Sequence, residues 1–170
     1  MSGRCFSLPK FEVLSEENFS YLQSFDCGNP SVNNYLKLEY HALDDSHNNI
    51  SKTLLLVEDN EVIAYISSRV TEIDIGYATE LDYSSSTFPS IPACEIQYMG
   101  VSKQYQRREY GKDVLSYLLI KVYEMSLYVG CRYVFAWSVE NSIPFYEAMG
   151  FENMDTEFKQ AHLMRFLIPS

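Results

Sequence analysis

At 170 residues the chain is long enough to bury a core of its own and short enough for a single domain over residues 1–170. A hydrophobic content of 46% with 15% aromatics excludes a disordered chain, and no apolar run reaches the length of a membrane span. The net charge of −10 repels nucleic-acid phosphates, which weighs against a polynucleotide partner and favours an amine, a polyamine or a basic peptide.

The opening MSGRCFSLPKFEV lacks the long apolar region of a signal peptide, and Cys5, Cys27, Cys94 and Cys131 are scattered without CxxC or metal-ligand spacing. Reduced, mostly buried thiols in a cytoplasmic protein are expected, with no metal and no disulfide.

Phe11 to Leu14 reads as a first strand. Ser15 caps a helix with Glu16 and Glu17 in its first turn and Tyr21, Leu22 and Phe25 inward. After a Gly-Pro turn, Ser31 opens a second helix with Val32, Tyr35, Leu36 and Leu43 on its apolar face, and Asp44 to Asn49 reads as a polar loop. Lys52–Glu58 and Glu61–Val70 flank Asp59-Asn60 as a hairpin. Thr71 to Pro92, with Ser84-Ser85-Ser86 and two prolines, is expected as an exposed loop. Cys94 to Val101 is a strand, Tyr110 to Val129 a long helix with Val114, Leu115, Leu118, Leu119, Val122 and Met125 in one stripe, and Gly130 its stop. A strand from Tyr133 to Ser138 with Trp137 in the core, a short helix from Ser142 to Met149, and strands at Phe151–Met154 and His162–Leu167 complete the order. The unit from Cys94 to Ser138 is a parallel strand–helix–strand with a right-handed crossover. The fold class is therefore α/β, with a mixed, mainly antiparallel central sheet flanked by helices.

The segment EIQYMGVSKQYQRREYG, Glu95 to Gly111, carries the chemistry. A strand that stops where a helix begins leaves unpaired N–H groups with the positive helix end behind them, which is a cradle for a phosphate.

Two stretches carry a family resemblance. Met99-Gly100-Val101 followed by Tyr105-Gln106-Arg107-Arg108-Glu109-Tyr110-Gly111 resembles the pyrophosphate loop of the GNAT acyltransferases, and Phe145-Tyr146-Glu147-Ala148-Met149-Gly150-Phe151 resembles their FYxxxGF signature. The loop departs from the family pattern at Arg107 and Glu109, both of which stand where glycine is common. The resemblance implies the GNAT fold, acetyl-CoA as co-substrate, and direct attack by an amine acceptor in a ternary complex. It implies that the backbone of Arg107 to Lys112 holds the phosphates with Gln106 beside it, and that Met99, Gly100 and Val101 line the pantetheine. It places Tyr146 as the acid for the departing thiolate and Asn141 near the cofactor. Glu95 on the central strand is the candidate base, with a purely structural carboxylate as the alternative.

The N-terminal Phe25-Asp26-Cys27-Gly28 with Val32-Asn33-Asn34-Tyr35-Leu36 is similar to the opening of GNAT toxins, which acetylate aminoacyl-tRNA and are neutralised by an antitoxin. Two further readings therefore stand beside a small-molecule or protein acetyltransferase: a toxin of that kind, and a CoA-binding sensor with weak turnover. A homodimer is a further option, since many relatives are dimers.

Overall fold

The computed structural model describes residues 8–78 and 87–170. Cys5 and Ser84-Ser85-Ser86 lie outside these residues, so the expectations placed on them are not addressed below. Among the described residues seven strands form one mixed sheet in the order β1-β2-β3-β4-β5-β7-β6. They are β1 (Lys10–Val13), β2 (Lys52–Glu58), β3 (Glu61–Asp74), β4 (Ser90–Val101), β5 (Tyr133–Val139), β6 (Glu152–Phe158) and β7 (Ala161–Leu167). The helices are α1 (Pro30–Lys37), α2 (Asp44–His47), α3 (Tyr110–Ser126) and α4 (Ile143–Ala148). None of them is long and apolar enough to cross a membrane. The chain divides into two compact units, residues 1–68 with 98–118 and residues 69–97 with 119–170.

In the first unit β1 and β2 pair antiparallel, Lys10 opposite Val57 and Val13 opposite Leu54, and β2 pairs antiparallel with β3. The β2–β3 turn has Asp59 and Asn60 at φ 49° and 62°, a two-residue hairpin turn whose left-handed positions suit these side chains. Leu22, Phe25, Leu36, Leu55, Val57 and Tyr65 form its core.

The Ser15-led segment is a 3-10 helix, Glu16–Leu22, rather than an α-helix. Asn18 ties it down: its side chain accepts from Ser15 N (2.9 Å) and donates to Val13 O (3.0 Å), fixing a tight turn at the end of β1. Helix α1 is capped by Asn29, not Ser31: Asn29 Oδ1 accepts from Ser31 N and Val32 N, and Pro30 occupies the first turn, where its missing N–H costs nothing. The expected loop at Asp44 is the short helix α2.

In the second unit β4 and β5 are parallel from Ala93↔Tyr133 to Ile96↔Ala136. The register ends there, although β4 continues to Val101. Strands β5 and β7, and β6 and β7, are antiparallel. Ile73, Ile91, Ala93, Tyr133, Phe135 and Leu163 form the core.

Strand β3 runs past the expected Val70 to Asp74 because its alternation persists, with Ile73 buried, until Gly76 breaks it. Trp137 is not core: it is 37% exposed and lies against exposed Phe158, ring centroids 5.9 Å apart, at the open end of β5. Cys94 and Cys131 are buried thiols as expected, and Cys27 is half-buried.

Candidate active site

The loop between β4 and α3 is built from backbone outward. Ser102 N donates to Ile63 O (2.8 Å), and a 3-10 turn, Lys103–Tyr105, leads into Gln106. Arg107 and Glu109 then adopt φ of 62° and 68°. Left-handed positions of this kind, set among right-handed ones, are the backbone pattern of concave anion nests. For residues other than glycine each left-handed position costs about 1 kcal/mol or more. Glu109 O accepts from Lys112 N (2.8 Å) and Asp113 N (3.1 Å), starting α3. The N–H groups of Arg107 to Gly111 have no acceptor among the described residues. They sit at the positive end of a 17-residue helix.

The side chains leave that nest open. Glu109 turns along the helix to Lys112 (Oε2 to Nζ 2.5 Å) and is exposed, so its carboxylate is paired outside the row of free N–H groups. Arg108 lies over the Tyr105 ring, its Cζ 5.9 Å from the centroid. Gln106 donates both amide hydrogens to backbone, Nε2 lying 3.0 Å from Cys27 O and 2.9 Å from Val101 O. Its amide nitrogen is thus engaged within the protein, whereas the sequence reading gave Gln106 a cofactor contact. Of the strand residues, Gly100 is buried and Met99 and Val101 are half-buried. Gly100 is demanded by packing: a Cβ there would lie 2.9 Å from Val32 Cγ1 and 3.2 Å from Phe25 Cζ.

In the second unit, Gly150 at φ 85° ends α4 and lets Phe151 N reach back to Tyr146 O (3.0 Å). Phe151 then meets the Tyr146 ring edge-on at 5.2 Å, and Phe145 does so at 5.3 Å. The glycine and both phenylalanines of FYxxxGF thus hold one tyrosine ring. Tyr146 is buried, its hydroxyl has no hydrogen bond among the described residues, and burial pushes its pKa up to about 12. Glu95 is half-buried and ion-paired, its Oε2 2.7 Å from Arg69 Nε. Asn141 lies in a 3-10 turn, Glu140–Ser142, on an open groove of about 520 Å³ shared with Glu140, Glu157, Gln160 and His162.

A model of the acetyltransferase (GNAT) family matches residues 16–151, most of the chain and both signature stretches. The chain belongs to the GNAT acetyltransferase family. As a GNAT protein it is an acyltransferase that uses acetyl-CoA. A search of curated protein sequences found no match.

Solved structures share the GNAT fold. A tyrosine-to-phenylalanine mutant of KacT superposes with a TM-score of 0.80 at 18% identity, over 93% of this chain and 95% of that one. AtaT complexed with acetyl-methionyl-tRNAfMet gives 0.79 at 20% identity over 91% and 93%. AtaTR bound with acetyl-CoA gives 0.75 at 20% over 94% and 93%.

Two ion pairs, one in each unit, were not read from the sequence. Asp26 holds Lys103 (Oδ2 to Nζ 2.8 Å), two residues past the end of β4, and Arg69 holds Glu95. Neither pair has a local signal, since 77 and 26 residues separate the partners.

Proposed function

We propose that the protein transfers the acetyl group of acetyl-CoA to a primary amine by direct attack in a ternary complex. The N–H groups of Arg107 to Gly111, unpaired among the described residues and aimed from a helix N-terminus, carry this reading. They fit the diphosphate of acetyl-CoA, with Arg107, Arg108 and Lys112 supplying counter-charge. An extended pantetheine arm pairs along Met99 to Val101, where β4 has left its register with β5. A backbone N–H of Gly100 or Val101 faces the thioester oxygen as it gains charge.

In the step itself the amine nitrogen bonds the acetyl carbon, the carbon–sulfur bond breaks, and the amine loses a proton. Tyr146 supplies a hydrogen bond, then a proton, to the departing sulfur; with its pKa raised to about 12 it is fully protonated at neutral pH. Glu95 suits the base less well than Tyr146 suits the acid. Arg69 occupies its Oε2, leaving Oε1 as the atom that would take the proton, directly or through water.

Calorimetric titration with CoA together with a thiol-release assay over polyamines, peptides and small amines tests the reading. Saturable CoA binding and amine-dependent thiol release are expected. Absence of CoA binding overturns it, and binding without transfer to any acceptor leaves a sensor.

A second acceptor has specific support. The N-terminal Phe25–Gly28 stretch resembles the GNAT toxins, and the AtaT structure cited above carries an acetylated methionyl-tRNA. An aminoacyl-tRNA amino group would undergo the same chemistry. The net charge of −10 opposes it, because four of the 13 basic residues (Lys103, Arg107, Arg108 and Lys112) are committed around the phosphate loop. Aminoacyl-tRNA belongs in the acceptor panel, and an antitoxin partner enters only if it is acetylated.

A further inference from the structure

The Phe25–Gly28 turn is joined to the phosphate loop by a set of bonds that the catalytic reading leaves unused. Asp26 is the hub. Its Oδ1 accepts from Gly28 N and from Asn33 Nδ2, each at 2.8 Å, and its Oδ2 accepts from Lys103 Nζ at 2.8 Å. Its carbonyl accepts from Lys103 N at 2.8 Å. Asn33 Oδ1 in turn accepts from Cys27 N (3.0 Å), which holds the turn in shape. Gln106 closes the set by donating to Cys27 O and Val101 O. Lys103, which opens the 3-10 turn, and Gln106, which follows it, are therefore both tied to one short N-terminal turn.

The loop needs such ties. Arg107 and Glu109 hold left-handed backbone without being glycine, and strain of that kind persists only where the surroundings over-determine it. We propose that the Phe25–Gly28 turn is a clamp that imposes the anion-binding shape on the loop, with Asp26 and Gln106 as positioning residues for the acetyl donor. The proposal rests on the reading that the N–H groups of Arg107 to Gly111 take the diphosphate. It makes the N-terminal motif a substitute for the glycines this loop lacks: where glycine would adopt the nest freely, this sequence uses ordinary residues and holds them in place.

The test is a cycle between a clamp residue and a strained one. Gln106→Ala removes both side-chain bonds and is expected to weaken CoA binding about tenfold by calorimetry. Glu109→Gly placed on that background is expected to restore the affinity to within about threefold of wild type, because glycine needs no clamp at φ 68°. Lys103→Met, which cuts only the Asp26 ion pair, is expected to show a smaller loss with the same rescue. Unchanged affinity in Gln106→Ala, or a loss that glycine does not relieve, overturns the proposal. The latter result would mean that Gln106 touches the ligand.

A readout without ligand separates this from the functional reading. Trypsin cleavage after Arg107 and Arg108 follows local opening of the loop, and its rate is expected to rise about tenfold in Gln106→Ala. If wild type binds no CoA while that rate rises, the donor assignment falls and the clamp stands. If the rate is unchanged, the clamp falls.

Discussion

Removing one oxygen from Tyr146 separates its chemistry from its packing. In Tyr146→Phe the ring keeps its edge-on contacts with Phe145 and Phe151 at 5.3 and 5.2 Å. The lost hydroxyl has no hydrogen-bond partner among the described residues, so stability is expected to hold or rise slightly. Turnover is a different matter. Burial holds the hydroxyl at about 12, against roughly 8.5 for an alkyl thiol, so complete proton transfer to the thiolate is uphill by about 5 kcal/mol. The hydroxyl therefore contributes first as a hydrogen bond to the sulfur as charge develops. Loss of a positioned acid of this kind lowers kcat by about 10²–10³-fold, or about 3–4 kcal/mol. The diphosphate cradle is untouched, so CoA affinity should stay at the wild-type value. Thiol release at saturating acetyl-CoA, with CoA titration and a melting curve on the same preparation, measures all three. A kcat within about threefold of wild type refutes the role of Tyr146, and a large drop in Tm shows instead that the hydroxyl supports the fold.

Other perturbations follow from the same geometry. The Tyr146 hydroxyl holds its proton to about 12 in the folded state and to 10 unfolded, so its contribution is full below pH 10 and is lost as pH rises to 12. Urea unfolding across that window should show wild type losing about 3 kcal/mol relative to Tyr146→Phe; parallel curves would contradict the buried hydroxyl. Gly111→Asp puts a carboxylate at the first turn of α3, which favours the helix but opposes an anion. Its Tm should hold or rise while CoA affinity falls about tenfold or more, and an undiminished affinity would move the cradle elsewhere. Glu109→Gly in the wild-type background should raise stability by about 1 kcal/mol and change CoA affinity less than about threefold, since the carboxylate already faces Lys112; a lower Tm would deny the backbone strain. Gly100→Ala crowds Val32, Phe25 and Cys27 and should cost about 1–3 kcal/mol in urea unfolding, whereas an unchanged midpoint would mean that these side chains yield freely.

Local chemistry made much of this protein readable in one dimension. The hydrophobic stripe of α3, the Asp59-Asn60 hairpin and the strand-to-helix loop at Gln106–Gly111 each depend on residues near one another in the chain, and each stands where its pattern put it. Errors arose where a neighbour distant in sequence decides. Trp137 reads as core from its apolar strand, but it lies beyond the last pair of β5 with β4, where the register has ended. The start of α1 was decided locally instead: Asn29, not Ser31, caps it, and Pro30 fixes where the first turn begins. The tie from the Gln106 amide to Cys27 O, 79 residues away, had no local signal. The row of N–H donors was written in the sequence because it is a property of backbone direction at a helix start. The shape that aims them belongs to the tertiary structure, because two non-glycine residues in left-handed backbone are held there by bonds to a turn far earlier in the chain.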